Sequence, residues 1–338
     1  MDKMKICVVG SGAWGTALAA LLARNGHTVT LWSYEPETAA ILEETGCNPF
    51  LPGITLPQGI SYTNDLACVA GHGLIVMAAP SFAVRRTCQR MAPYLEREAV
   101  IISVAKGIEA GSGLRMSQIV AQETGCRVAV LSGPSHAEEV SRGIPTGCVV
   151  ACEDREIAER VQDAFMSERF RVYSSPDVTG VELGGALKNV IALCAGICDG
   201  MGYGDNTRAL LMTRGLTELA RLGMAMGSRQ ETFAGLTGIG DLIVTCCSMH
   251  SRNHRAGILI GQGMAVDAAM QEVGAVVEGY YAARSARELA MRMGVEMPIT
   301  EQAYAVLYCG KSARQAIGDL MCRHKAAEIE DAGWQAKE

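Results

Sequence analysis

Residues 5–15, K-I-C-V-V-G-S-G-A-W-G, carry an apolar segment straight into G-x-G-x-x-G. Each glycine has its own physical task. Gly10 permits a tight turn, Gly12 lets the backbone approach a pyrophosphate, and Gly15 lets the next helix lie close on the strand. The N-terminus of that helix offers unpaired N–H groups and partial positive charge to phosphates. Glycine-rich turns are common, so the string alone is a weak signal. The apolar strand before it and the alanine- and leucine-rich helix after it turn it into a dinucleotide-binding motif.

Five further clusters have residue types suited to chemistry. Lys106 follows an expected strand in S-V-A-K-G, at the end where ligands bind in open α/β folds; the alternative is a solvated loop lysine. Ser132-Gly133-Pro134-Ser135 is a small-residue turn able to present N–H groups to a ligand, or an ordinary strand–helix turn with a serine cap. Lys188-Asn189 lies inside an apolar helix. A lysine there must snorkel, pair or face a cavity, and burial lowers its pKa toward values useful for proton transfer. Glu182, two turns earlier, can fall on a neighbouring face, and Gly184-Gly185 thin the helix so that another segment can come close. Asp241 stands at an expected helix start, where it either caps the helix or orients Lys188. Ser251-Arg252-Asn253-His254-Arg255 opens another helix. Cations are unfavourable at a helix N-terminus unless an anion accompanies them, so this string points to phosphate rather than to a plain basic patch.

These residues need a scaffold. The first half alternates expected strands (5–9, 28–32, 73–78, 99–104, 127–131, 147–151, 169–173) with helices such as 14–24, 112–123 and 155–166. Ser112 and Asp154 sit at plausible N-cap positions. Continuous Val/Ile/Leu/Ala runs suit strands buried on both faces, and the alternation implies a parallel, doubly wound, Rossmann-type sheet. The Pro- and Gly-rich stretch 46–63 reads as an irregular loop. Beyond about Asp177 helices take over (181–197, 208–226, 251–259, 278–293, 299–308), broken by glycine-rich links at 199–204 and 235–240. The expected division is a dinucleotide-binding domain over 1–178 and a mainly α-helical substrate-binding domain over 179–338, with a charged, frayed final dozen residues.

A chain of 338 residues can bury two cores, and 49 % hydrophobic with 20 % charged residues is ordinary globular composition. A net charge of −6 argues against nucleic acid and anionic membranes as partners. Met1-Asp2-Lys3-Met4 runs directly into a strand, with no signal peptide expected. The longest apolar run, 190–198, falls short of the roughly 18 residues of a spanning helix, so no integral membrane segment and a cytoplasmic location are expected. The 13 cysteines form no C-x-x-C pair; they read as reduced, buried small residues, and no metal site is expected.

The strings GSGAWGTALA, VAKGIE, LSGPSHAEE, GVELGGALKNVIAL, GLTGIGDLIVTC, SRNHRAG, VVEGY and GVEMPITE span nearly the whole chain. In this order they resemble the bacterial NAD(P)-dependent sn-glycerol-3-phosphate dehydrogenases. The resemblance implies reversible conversion of glycerol 3-phosphate and NAD(P)+ to dihydroxyacetone phosphate and NAD(P)H, which supplies phospholipid synthesis in that family. It implies that Lys188 exchanges the proton while hydride moves between substrate C2 and nicotinamide C4. Lys106 would touch substrate and cofactor. Gly133, Ser135, Asp241, Ser251, Arg252 and Asn253 would complete the substrate site, with Arg252 also near the cofactor. Ala13 and Trp14 would flank the pyrophosphate turn, Ala137 would lie on the cofactor, and Val276 and Glu278 would close over it. A homodimer is plausible by the same resemblance. One position departs from the family. Tyr34 stands where many relatives carry Arg or His toward the 2′-phosphate of NADP, and Glu35 follows it. That leans the expectation toward NADH. A β-hydroxyacid or ketopantoate-type dehydrogenase shares the glycine motif and the Lys-Asn pair, but the Ser251-Arg252-Asn253 string suits phosphate better. A nucleotide-sensing protein without turnover is the non-enzymatic alternative, and intact Lys106, Lys188 and Asp241 weigh against it.

Overall fold

The computed structural model describes residues 3–328; most of the tail expected to fray lies outside them. The N-terminal part runs β1 (Lys5–Val9), α1 (Ala13–Arg24), β2 (Thr28–Trp32), α2 (Pro36–Thr45), β3 (Ile60–Thr63), β4 (Leu74–Met77), α3 (Val84–Met91) and β5 (Val100–Ser103). It continues through α4 (Met116–Thr124), β6 (Arg127–Ser132), α5 (Ala137–Ser141), β7 (Thr146–Ala151), α6 (Arg155–Phe165) and β8 (Phe170–Ser175). From Val178 on, only helices follow: α7 (Val178–Gly200), α8 (Asp205–Ala225), α9 (Gln230–Phe233), α10 (Asp241–Cys247), α11 (Arg252–Gly261), α12 (Val266–Val273), α13 (Glu278–Met293), α14 (Pro298–Tyr308) and α15 (Ala313–Met321).

The sheet has eight strands in the order β3-β2-β1-β4-β5-β6-β7-β8. β1 and β4–β5 are buried along almost their full length between helical layers, which explains their unbroken apolar sequences. The fold class is as expected, an α/β Rossmann-type sheet followed by helices. Three local expectations are corrected. The sheet is not wholly parallel, because β7 runs antiparallel to β6 and β8 follows β7 in parallel. The link between β6 and β7 holds only the five-residue α5, too little to carry the chain back for a parallel crossover. The stretch 46–63 is not all loop, since its last four residues form the edge strand β3 against β2. Ser112 does not cap a helix. Positive φ at Gly111 and Gly113 turns the chain first, so α4 begins only at Met116, while Ser112 Oγ donates to Glu109 at 2.6 Å. Asp154 does cap α6, accepting from the N–H groups of Glu156 and Ile157.

Helix α7 is the axis of the second half. It is long and apolar enough to cross a membrane, yet 94 % of its most apolar window is enclosed by the protein. Its apolarity is therefore that of a core helix packed on all sides. Leu183, Leu187 and Ile191 join one apolar cluster with α8, α10 and α13, and Val190, Leu193 and Ile197 join another with α11, α13 and α14.

Candidate active site

The glycine turn has the shape a pyrophosphate needs. Gly10 sits at φ +120°, and a Cβ there would lie 2.7 Å from Ala78 O. A Cβ on Gly15 would come 2.0 Å from Gly10 O, so α1 packs against the turn only with glycine. At Gly12 a Cβ would meet no protein atom within 4 Å, so the backbone faces open space. Gly12 also provides no side-chain cap, which leaves the first N–H groups of α1, at Ala13 and Trp14, available to a ligand. The turn is braced from behind. Asn48 Nδ2 donates to Ser11 O at 2.8 Å and to Thr16 Oγ1 at 2.6 Å, and the hydroxyls of Ser11 and Ser33 bond each other. Sequence reasoning missed Asn48, because it lies in a stretch with no periodic pattern. This open, donor-rich cradle fits a dinucleotide.

The second part of the site lies where the sheet meets α7. Lys188 is 5 % exposed and Asp241 1 %. The Lys188 ammonium donates to Asp241 Oδ1 and, at 2.6 Å, to Thr245 Oγ1. Lys106 Nζ reaches the other carboxylate oxygen at 2.7 Å and the Gly133 carbonyl at 3.1 Å. One carboxylate thus joins two lysines from different parts of the chain. Thr245 closes the arrangement by donating to Asp241 O at 2.6 Å. The i, i+4 spacing from Asp241 on a helix would have shown that Thr245 shares its face.

Burial, with Lys106 acting in the same direction, brings the Lys188 pKa down to about 7 against the pull of Asp241. For Asp241, burial opposes ionisation, but Lys106 and Lys188 outweigh it and hold the carboxyl below its usual range. The result is an amine that exchanges its proton near neutral pH, beside a carboxylate that stays charged. Asp241 opens α10 after a single π turn over Leu236–Gly240. This turn packs against α7 at Gly184, where a Cβ would lie 2.5 Å from Thr237 O. At Gly185 a Cβ would lie 2.6 Å from Ser132 Oγ. The glycine pair therefore admits the segments carrying Asp241 and Gly133. Glu182 is not part of this cluster. Its carboxylate accepts from Arg115, Ser117 N and Ser117 Oγ, and so pins the start of α4.

The remaining candidates lie on several other elements. Gly133 has φ +146°, and its carbonyl also accepts from Ser135 Oγ at 3.0 Å. Ala137 opens α5 and is nearly buried. Ser251 caps α11 by accepting from His254 N at 3.2 Å, and Arg252 stands exposed in the first turn. Asn253 donates to Asn189 Oδ1 at 3.0 Å and accepts from Gly279 N at 2.8 Å. These bonds tie α7, α11 and α13 at the residues that follow Lys188, Arg252 and Glu278 in the chain. Glu278 accepts from Ser81 Oγ at 2.8 Å across to the sheet side; burial raises its carboxyl pKa while Ser81 and the Arg252 charge pull it down. A Cβ on Gly107 would lie 2.5 Å from Ser81 Cβ, so the Lys106 loop packs on the same serine. Val276 is half-buried just before α13. Tyr34 lies apart, 60 % exposed beyond the end of β2. No motif singled out His136, whose imidazole is pushed toward neutrality by burial and by Lys188. Among the described residues no three His, Cys, Asp or Glu side chains come together as a metal-binding group.

A Rossmann-type sheet with an open phosphate cradle, joined to a helical domain through a buried lysine, defines a two-domain dinucleotide-dependent dehydrogenase. Residues 5–158 match the family described as NAD-dependent glycerol-3-phosphate dehydrogenase N-terminus, and residues 177–318 match its C-terminus. The chain belongs to the NAD-dependent glycerol-3-phosphate dehydrogenase family. It is 55 % identical over 334 residues to the glycerol-3-phosphate dehydrogenase (NAD(P)+) of Moorella thermoacetica, covering 98 % of this chain and 100 % of that one. Its counterpart from Pelotomaculum thermopropionicum is 53 % identical, with 98 % and 97 % covered. The crystal structure of glycerol-3-phosphate dehydrogenase from Coxiella burnetii superposes with a TM-score of 0.92 at 39 % identity, over 95 % of this chain and 99 % of that one. A ketopantoate reductase from Ralstonia eutropha, at TM-score 0.61 and 17 % identity, shares the fold alone.

Proposed function

We propose that this enzyme interconverts sn-glycerol 3-phosphate and dihydroxyacetone phosphate with NAD or NADP. The observation that carries the reading is the buried Lys188, which shares the Asp241 carboxylate with Lys106 and has a pKa near 7. A bound nicotinamide supplies or takes the hydride. In the oxidative direction neutral Lys188 accepts the proton of the C2 hydroxyl; in the reductive direction its ammonium returns a proton to the C2 oxygen. Lys106 adds positive charge where alkoxide character develops, and Asp241 with Thr245 fixes the direction in which the Lys188 amine points. Gly133 and Ser135 line the substrate beside Lys106. Ser251, Arg252 and Asn253 receive the substrate phosphate, which takes no part in bond changes but fixes the reacting carbon. Ala13 and Trp14 flank the pyrophosphate after the Gly10-Gly12-Gly15 turn, Tyr34 adjoins the adenosine ribose, Ala137 lies on the cofactor, and Val276 and Glu278 close over it.

The functional division is 1–178 for the dinucleotide and 179–338 for the substrate. The enzyme works in the cytoplasm as a homodimer and supplies glycerol 3-phosphate for phospholipid synthesis. The deciding assay offers dihydroxyacetone phosphate, a 2-ketoacid panel and ketopantoate, each with NADH and with NADPH, and follows loss of reduced-nicotinamide absorbance. Turnover confined to dihydroxyacetone phosphate supports the reading; preferential turnover of a ketoacid overturns it.

A further inference from the structure

The end of the second strand in a dinucleotide-binding fold meets the adenosine ribose, and the charge found there separates a 2′-hydroxyl from a 2′-phosphate. Here the strand carries no cation to that place. Trp32 ends β2, and Ser33, Tyr34 and Glu35 follow. Glu35 precedes α2 without bonding its N–H groups, so its carboxylate is free to repel a phosphate. A cation arrives from another element. Arg90, near the end of α3, places its guanidinium carbon 5.9 Å from the Trp32 ring centroid and 5.9 Å from that of Tyr34. The two rings meet edge-on, 6.2 Å apart. Trp32 is anchored, being 2 % exposed with its Nε1–H donating to Asn64 O at 3.0 Å. Aromatic faces hold a guanidinium in place without cancelling its charge. Arg85 on the same helix differs, because Glu109 and Glu123 neutralise it. Among the described residues no carboxylate lies within ion-pair distance of Arg90, and the residue is exposed.

We infer that Arg90 is the specificity-determining residue that lets this enzyme hold a 2′-phosphorylated nicotinamide cofactor, its fork facing the phosphate while Tyr34 and Trp32 fix its plane. The inference rests on the dehydrogenase reading and offsets the lean toward NADH that Tyr34 and Glu35 suggest. A planar guanidinium can bind a phosphate bidentately, whereas an ammonium cannot.

The test compares wild type with Arg90→Gln, Arg90→Lys and, as a control for net charge, Arg97→Gln at an exposed arginine before β5. Calorimetry measures the affinities for adenosine 2′,5′-bisphosphate and 5′-AMP, and rates give kcat/KM for NADPH and NADH. In R90Q the ratio of bisphosphate to 5′-AMP affinity should fall about tenfold or more, as expected for a lost charge-assisted hydrogen bond. The NADPH-to-NADH ratio should follow it. R90K should recover only part of the loss, and R97Q should match wild type. An affinity ratio unchanged in R90Q, or lowered equally in R97Q, overturns the inference. A wild type inert toward dihydroxyacetone phosphate, with the affinity ratio still falling in R90Q, would overturn the functional reading and leave Arg90 in its role.

Discussion

Lys188 is useful because its surroundings oppose one another. Burial and the Lys106 charge favour the free amine, Asp241 favours the ammonium, and the balance falls near pH 7. The pH dependence follows with a definite sign. Oxidation of glycerol 3-phosphate needs the neutral amine, so its kcat/KM should rise with pH through about 7 and then level. Reduction needs the ammonium and should fall through the same pH. In Asp241→Asn the group that raises the Lys188 pKa is gone, so the limb should move to lower pH while turnover drops; a limb that stays in place would show that some other group titrates. Lys188→Ala should lower kcat by about 10²–10⁴-fold, the usual range for loss of a general acid–base. NADH affinity, read by fluorescence titration, should hardly change. Wild-type turnover in that variant would remove Lys188 from its role. Its position in an apolar helix was enough to mark Lys188 from sequence. Its partner Asp241 was legible only as one of two readings, because an aspartate after glycine at a helix start also looks like an ordinary cap.

Helix packing sets the distances in this site. α7 and α11 cross through two pairs of glycines spaced four apart. A Cβ on Gly196 would lie 2.1 Å from His254 O and one on Gly200 2.2 Å from Ile258 O. On the facing helix, a Cβ on Gly257 would lie 2.1 Å from Leu193 O and one on Gly261 2.2 Å from Ile197 O. Only glycine lets the backbones come this close, and the approach brings Asn253 to Asn189. Gly196→Ala should therefore destabilise the protein by about 1–3 kcal/mol, as overpacking does. This outweighs the roughly 1 kcal/mol that alanine gains over glycine in a helix. Chemical denaturation gives the number, and a more stable variant would contradict the packing argument. Glycines within a helical pattern were visible in the sequence, but not what lay against them. The same holds for Glu218, a mid-helix glutamate whose carboxylate accepts from the N–H groups of Ile299 and Thr300 at the start of α14.

The sheet and the helices act as one unit because polar groups cross their junction. Lys106 meets Asp241, Ser81 meets Glu278, and Arg115 with Ser117 meets Glu182. The last link is the most enclosed, with the Glu182 side chain 3 % and the Arg115 side chain 14 % exposed. Glu182→Ala leaves Arg115 without its partner and should cost about 3–5 kcal/mol. It should also lower kcat, since Lys106 and Lys188 stand on opposite sides of the junction that Glu182 holds. Thermal unfolding and steady-state rates check both effects, and an unchanged melting temperature would mean that the link does not join the two parts. What could be read from the chain was whatever lies in a short window: the glycine turn, the buried strands, the amine in an apolar helix, the serine that opens α11. Those features follow from local sterics, from hydrogen-bonding side chains next to their own backbone, and from apolar periodicity. The union of two lysines on one aspartate, the pinning of α4 by Glu182 and the arrival of Arg90 beside Tyr34 depend on groups far apart in the chain. They exist only once the core has closed and burial has set which charges must share a partner.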